Sequence, residues 1–229
     1  MLRFILHMIG FLTDNLKYTA VFIGFLLGLP AVRASVRREK HHAVPSDALL
    51  CFVFSVFSVL SVLLFASLES LIGGKGFEFG AVSTYGVYFL APLFLLLVYR
   101  KDRSYVFDCF AVYVPVSLIL QRIRCIVSGC CYGKIINAEG FRWPVREAEI
   151  VFYAVMLFLL IYLRRKGSRK TRGDLFPLLM TAYAAVRFFI EFLRGDNGSG
   201  LFHIAHLWSL LAAAIGLSIY IEIRNRSVR

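Results

Sequence analysis

The chain has 229 residues, of which 59% are hydrophobic and 17% charged, and its mean hydropathy is +0.72. Soluble domains are about half apolar and carry about a quarter charged residues, so this composition excludes a water-soluble domain. In a soluble protein the net charge of +12 would indicate nucleic-acid binding, but here the positions of the charges give them a different role.

Apolar segments recur along the whole chain, and most reach the roughly 17 to 25 residues needed to cross a ~30 Å hydrocarbon layer. We predict an all-α integral membrane protein, a seven-transmembrane-helix bundle forming one transmembrane domain over residues 1–229. The predicted spans are 17–36, 47–72, 81–99, 105–127, 149–163, 174–193 and 203–223. The fifth span is short, so we expect it to include part of the preceding turn, Arg146 to Glu149. Residues 1–15 lack a signal-peptide cleavage pattern and are predicted to form an interfacial helix.

The basic residues mark one side of the predicted bundle. More than half of the Lys and Arg residues fall in four segments at alternate helix ends, which are 33–40, 100–103, 164–172 and 224–229. The positive-inside rule makes that side cytoplasmic. We therefore predict that the N-terminus lies outside and the C-terminus in the cytoplasm, and we predict no nucleic-acid partner.

The sixth span carries polar residues where they are costly. Tyr183, Arg187, Glu191 and Arg194 follow helical spacing and share one face. An ionisable group at the membrane centre costs at least ~2.5 to 3.5 kcal/mol, so such a face is either a structural ion-pair ladder or a functional site. Because this span runs outward, the cluster is predicted in the outer half of the bundle.

The fourth span also runs outward and ends in a segment rich in glycine and cysteine. Arg122, Cys125 and Gly129 share a helical face, and Gly133 follows four residues later. Glycines at such a helix end can bring backbone N–H groups close to a ligand. Adjacent cysteines such as Cys130 and Cys131 rarely point at one ion, and zinc pairs normally have two to four intervening residues, so we predict no metal and no cofactor.

Three arginines, Arg122, Arg187 and Arg194, are thus predicted to converge on the outer half of the bundle. Arginine presents a planar set of donors that matches phosphate geometry and stays charged when partly buried. The pattern indicates a membrane phosphate as ligand, such as a phospholipid head group.

These segments resemble the prolipoprotein diacylglyceryl transferases of bacteria. The family's helix-end signature is similar to residues 121–133, its P-x-Q-x-x-E turn to Pro144 and Glu149, and its R-F-x-x-E-F-x-R motif to residues 187–194. Tyr18 matches the family's tyrosine in the first span. The chain departs from the family's pattern where Tyr85 and Val87 replace the His and second Gly of the H-G-G segment, and where Arg124 and Arg146 replace a Gly and a Gln.

The resemblance implies transfer of the diacylglyceryl unit of phosphatidylglycerol to the lipobox cysteine thiol of a prolipoprotein signal peptide, with release of glycerol phosphate. It also implies a multi-pass protein of the bacterial inner membrane. Residues expected to act in catalysis are Arg122, Arg187, Tyr85 and His206. We expect Arg122 and Arg187 to hold the phosphate, and because Tyr85 is a poor base, His206 and His203 are the candidates to replace it in that role. Residues expected to bind substrate are Tyr18, Gly86, Cys125, Gly129, Gly133, Glu149, Glu191 and Arg194.

Two other functions stay open from the sequence. A non-catalytic paralogue that binds phospholipid or lipoprotein is consistent with the altered positions Tyr85 and Arg124. A small transporter is disfavoured, because the charged cluster is predicted in one leaflet and the sequence contains no inverted repeat.

Overall fold

The computed structural model describes residues 16–35, 46–72, 83–137, 140–166, 173–195 and 202–228. Within these residues the chain forms helices α1 (Leu16–Ser35), α2 (Asp47–Ile72), α3 (Tyr85–Val98), α4 (Arg103–Val127), α5 (Val145–Lys166), α6 (Leu175–Leu193) and α7 (Ile204–Val228). The described residues also contain two isolated β-bridges, which pair Gly133 with Arg194 and Ile135 with Arg142.

The helices lie where the hydropathy pattern predicts them. α2 has the predicted bounds, and the other helices begin and end within about five residues of theirs, as expected for apolar segments of this length. α5 begins at Val145 and therefore includes Arg146 to Glu149, as predicted. The interfacial helix predicted for residues 1–15 lies outside the described residues.

Of the helices that the described residues form, four, α2, α4, α6 and α7, are long and apolar enough to cross a membrane. α3 is apolar but has 14 residues, a length of about 21 Å at 1.5 Å per residue. α5 carries charged residues in both its first and its last turn. The chain is thus an all-helical, multi-pass membrane protein, and the count of seven spans stays a prediction.

α4 and α6 form the centre of the bundle. In each of them 56% of the most apolar window is buried, against 22% in α7. α4 packs against α1, α5 and α6, and α7 packs against α6. Polar residues on the inner faces of α4 and α6 are therefore enclosed by protein, whereas α7 leaves most of its surface for lipid.

Alternate helix ends meet at the same end of the bundle. At one end, Arg165 of α5 donates to the Ala34 carbonyl oxygen of α1 at 2.8 Å, and Arg224 of α7 lies 3.9 Å from Asp174, which precedes α6. We call this the basic end, since the described residues of the four basic segments lie at it. The opposite end, where α2, α4 and α6 finish and α3, α5 and α7 begin, we call the site end.

Candidate active site

A buried group of four charged side chains lies at the site end. Arg122 makes a bidentate pair with Glu149, with Nε to Oε2 at 2.7 Å and Nη2 to Oε1 at 2.8 Å. Arg187 donates from Nη1 to Glu149 Oε1 at 3.1 Å and pairs through Nη2 with Glu191 Oε2 at 2.7 Å. We call these four residues the Arg–Glu cluster, and Glu149 is the link between its two arginines.

Three helices place these side chains. Arg122 lies in the last turns of α4, Glu149 in the second turn of α5, and Arg187 and Glu191 one turn apart near the end of α6. On α5 the buried residues are Val145, Glu149, Tyr153, Met156 and Leu160, a helical repeat that turns one stripe toward the core. Glu149 therefore lies on the same buried face of α5 that packs against α4, and its side chain points into the bundle.

The positive and negative charges of the Arg–Glu cluster neutralise one another. Two guanidinium groups face two carboxylates, and the side chains of all four are between 2% and 8% exposed. Burial removes these charges from water, so each depends on its partner, and removing one partner of such a pair typically costs about 3 to 5 kcal/mol. The pairing also fixes the planes of both guanidinium groups, which is the preorganisation that anion recognition requires.

Stacked tyrosines border the cluster on the side of the bundle core. Tyr88 and Tyr183 stack with ring centroids 4.3 Å apart, and Tyr153 lies 6.4 Å from Tyr183. In the part of the chain that the structure describes, the hydroxyls of Tyr88 and Tyr183 are buried without a hydrogen-bond partner. Buried hydroxyls of this kind are suited to a polar ligand or water.

Tyr85 connects α3 to α7. Its hydroxyl donates to the Ala205 carbonyl oxygen at 2.7 Å, so Ser209, whose Oγ is also 2.7 Å away, is the donor to the Tyr85 oxygen. Its ring meets Tyr183 at 6.0 Å, which brings it to the edge of the tyrosine group. The hydroxyl also interacts with Arg187, so Tyr85 links α3 to α7 and at the same time adjoins the Arg–Glu cluster.

His206 lies in an aromatic cluster. Its ring packs against Phe188, Phe192 and Phe202, and its Nδ1 accepts the backbone N–H of His203 at 3.0 Å. That bond assigns the proton of the neutral imidazole to Nε2, which has no partner among the described residues. With its acceptor nitrogen occupied, His206 is arranged as a hydrogen-bond donor.

The segment after α4 packs on the end of α6. Lys134 donates its backbone N–H to the Leu193 carbonyl oxygen at 2.8 Å, and Gly195 donates to that of Tyr132 at 2.9 Å. A Cβ at Gly133 would overlap the Trp143 carbonyl oxygen. Gly133 therefore permits close backbone packing beside Arg194.

Three thiols adjoin Arg122 where α4 ends. The Sγ atoms of Cys125, Cys130 and Cys131 all lie within 4.8 Å of one another, and Arg122 Nη1 is 3.9 Å from that of Cys125. A hydrogen bond from the Cys125 thiol, assisted by the charges of Arg194 and Arg122, lowers the pKa of Cys131 to about 5. The adjacency of Cys130 and Cys131, from which we argued against one shared ion, does not keep their sulfur atoms apart in this turn.

The structure brings most of the predicted residues to one end of the bundle. Arg122, Arg187, Glu149 and Glu191 are in direct contact, and Cys125 adjoins them. Tyr85 and His206 lie at the starts of α3 and α7. Gly129, Gly133 and Arg194 lie in or beside the segment after α4. Gly86 packs closely on α2, where a Cβ would overlap the Ser61 carbonyl oxygen. Tyr18 lies in α1, and its side chain is outside the described part of the chain.

Sequence reasoning missed three polar residues near the site. Glu69 of α2 is half-buried beside Ser83 and Trp208, within electrostatic reach of Arg187. A carboxylate inside an apolar span was the signal that could have found it. Tyr153 follows Glu149 by four residues and Tyr88 follows Tyr85 by three, so helical spacing could have found both.

The chain is similar to known proteins of one family. A family model described as prolipoprotein diacylglyceryl transferase matches residues 16–222. Phosphatidylglycerol–prolipoprotein diacylglyceryl transferase 2 of Clostridium perfringens is 29% identical over 156 residues, covering 59% of this chain and 60% of the relative. The phosphatidylglycerol–prolipoprotein diacylglyceryl transferase of Clostridium tetani is 25% identical over 155 residues, covering 59% of this chain and 61% of the relative. The one from Ehrlichia ruminantium (strain Welgevonden) is 32% identical over 127 residues, covering 46% and 48%. The chain spans less than two thirds of the length of these relatives.

Proposed function

The chain belongs to the prolipoprotein diacylglyceryl transferase family, and from that premise we propose that it transfers a diacylglyceryl unit from phosphatidylglycerol to a prolipoprotein. The acceptor is the lipobox cysteine of the prolipoprotein signal peptide, and the other product is glycerol phosphate. The observation that carries the proposal is the Arg–Glu cluster with its two paired arginines. Two buried tyrosine hydroxyls, those of Tyr88 and Tyr183, lie beside it and have no hydrogen-bond partner among the described residues.

The reaction exchanges one bond for another. The cysteine thiol first gives up its proton, which leaves to solvent. The thiolate sulfur then attacks the glyceryl carbon, and a carbon–sulfur bond forms while the bond from that carbon to the phosphate oxygen breaks. The oxygen keeps the electron pair, so the phosphate changes from one negative charge to two. Fixed guanidinium groups stabilise charge that develops in this way, because their orientation is set before the reaction begins.

The cluster suggests how the phosphate is held. Glu149 occupies Nε and Nη2 of Arg122, and the guanidinium also hydrogen-bonds Tyr153, whereas Nη1 lies 3.9 Å from Cys125 Sγ, a long contact that a phosphate oxygen can replace. That nitrogen is the donor placed to take a phosphate oxygen. The hydroxyls of Tyr88 and Tyr183 are positioned to pair with the polar glycerol part of the lipid head group.

We place the reaction in the outer leaflet of the bacterial inner membrane. The cluster lies at the site end, opposite the end that adjoins the four basic segments. Under the positive-inside rule the basic end faces the cytoplasm, so the site end faces outward. This orientation leaves the N-terminus outside and the C-terminus inside.

A second candidate function is a paralogue that binds phospholipid or lipoprotein without transferring the lipid. One observation favours it: the Tyr85 hydroxyl, at the position of the family's histidine, is engaged by Ala205 and Ser209. In this alternative the Arg–Glu cluster binds the head group, and the acceptor thiol finds no base.

Complementation separates the two functions. The full chain is expressed in a bacterium depleted of its own diacylglyceryl transferase, and thioether lipid on a tagged model prolipoprotein is measured by mass spectrometry. Growth and thioether formation support the transferase, and their loss in Arg122→Ala but not in the exposed Arg226→Ala ties them to the cluster. Binding of phosphatidylglycerol without thioether formation would instead support the paralogue.

A further inference from the structure

Three cysteine thiols converge on one point where α4 finishes, at the site end of the bundle. Cys125 is the third-last residue of the helix, and Cys130 and Cys131 lie in the turn that follows. Their sulfur atoms lie within 4.8 Å of one another. The separation of the atoms, and not the spacing of the residues in the sequence, decides whether one ion can bind them.

The backbone of the turn explains this convergence. Gly129 has φ of +67° and Cys131 has φ of +57°, so both residues on either side of Cys130 adopt the left-handed conformation. In extended chain, adjacent side chains point to opposite sides, and left-handed residues break that alternation. The cost of a non-glycine residue in this region is about 1 to 2 kcal/mol, which the surrounding contacts must offset.

Several bonds hold the turn. Cys130 donates its backbone N–H to the Cys125 carbonyl oxygen at 3.1 Å, closing the turn on itself. Arg146 of α5 donates from Nη1 to the carbonyl oxygens of Cys125 at 3.3 Å and Cys130 at 3.4 Å. Arg146 thereby stabilises the turn from the neighbouring helix, at the position where the family's motif has Gln.

We infer that Cys125, Cys130 and Cys131 form a binding site for one thiophilic metal ion, Cu(I) or Zn(II). Thiolates are the ligands that select these ions. For metal–sulfur bonds of about 2.3 Å, three sulfurs around one ion are about 4 Å apart, so small side-chain rotations complete the site. Binding releases the thiol protons to solvent.

Access and charge also suit an ion that arrives from outside. Cys130 is exposed, Cys131 is half-buried and Cys125 is 8% exposed, so the site opens on one side and is closed on the other. Three thiolates around either cation leave a net negative charge. The guanidinium of Arg122, with Nη1 3.9 Å from Cys125 Sγ, lies beside that charge and offsets it.

The test is an anaerobic metal titration of the full chain, purified in detergent and reduced. Cu(I) and Zn(II) are added in separate arms, each against a chromophoric chelator that reports free metal. The double variant Cys51→Ser, Cys109→Ser is the matched control, because it keeps only the three clustered thiols. We expect one ion per chain in wild type and control, in at least one arm, with thiolate-to-metal charge-transfer absorption for Cu(I).

Single variants complete the test. Cys130→Ser and Cys131→Ser each remove one ligand from the turn and are expected to weaken binding by more than about 100-fold. Cys130 and Cys131 are at least partly exposed, so we expect these two variants to fold. They therefore test the site even if Cys125→Ser, a change at a buried position of α4, disturbs that helix. Failure of wild type to bind either ion, or binding that both variants leave unchanged, would overturn the site. A disulfide within the cluster in protein that binds no metal after reduction would also overturn it.

Discussion

Two buried carboxylates at opposite ends of the bundle are held in different ways. At the site end, Glu149 is 2% exposed and is paired with the guanidinium groups of Arg122 and Arg187. At the basic end, Asp108 is 6% exposed and accepts the backbone N–H groups of Gly173 at 2.9 Å and Leu175 at 3.3 Å.

The difference lies in the kind of donor that each carboxylate meets. Asp108 of α4 satisfies backbone donors at the start of α6, which would otherwise be unpaired, and so joins two helices. Glu149 instead keeps two cations in place inside the membrane region, where they are costly. This contrast supports the proposal that the Arg–Glu cluster binds an anionic head group.

The largest effect is expected from Arg122→Lys. Lysine keeps the charge but loses the bidentate pair with Glu149. It also loses the Nη1 donor that we assign to the phosphate oxygen. We expect transfer of the diacylglyceryl unit to fall by about 100-fold or more, as when one donor to a developing anion is lost. Rates of thioether formation measure this, with Arg226→Lys as control, and a wild-type rate in Arg122→Lys would remove Arg122 from the phosphate site.

Glu149→Gln comes next. The amide cannot neutralise Arg122 and Arg187, so we expect a loss of about 3 to 5 kcal/mol in unfolding free energy as well as reduced transfer. Thermal unfolding in detergent and transfer per folded molecule are measured on one sample. Retention of both properties would show that the two arginines do not depend on this carboxylate.

Asp108→Asn should affect stability alone. An asparagine can accept one of the two N–H groups, while its own N–H₂ faces the other, so we expect a loss of about 1 to 3 kcal/mol. Transfer per folded molecule should stay within about twofold of wild type. A loss of transfer as large as that in Glu149→Gln would remove the distinction between the two ends.

Tyr85→Phe tests the role that the sequence predicts for this residue. The hydroxyl is engaged by Ala205 and Ser209 and also interacts with Arg187, so its removal should cost about 1 kcal/mol of stability and less than about tenfold in transfer. A larger loss of transfer with unchanged thermal stability would support the sequence-based prediction that Tyr85 acts in catalysis.

Glu222→Gln is expected to have the smallest effect. Glu222 pairs with Arg226 one turn away on α7, and the two side chains are 60% and 78% exposed. Exposed pairs contribute about 0 to 1 kcal/mol, so both stability and transfer should match wild type. A clear change in either would mean that this face of α7 has a partner.

The sequence predicts the helices because continuous apolar segments can satisfy their backbone groups inside a membrane only as helices. Helical spacing also finds Arg187 and Glu191, since residues four apart lie on one face. It does not find the pairing of Arg122 with Glu149, 27 residues apart, because that pairing depends on how α4 and α5 pack. The convergence of Cys130 and Cys131 depends on two left-handed residues that composition does not reveal.

The most direct test of the phosphate site uses purified protein in vesicles of phosphatidylglycerol with a lipobox cysteine peptide. Mass spectrometry follows the diacylglyceryl adduct on the peptide for wild type, Arg122→Ala and Arg226→Ala. We predict adduct with wild type and Arg226→Ala, and none above background with Arg122→Ala. Equal adduct formation by all three proteins would contradict the assignment of the Arg–Glu cluster as the phosphate site.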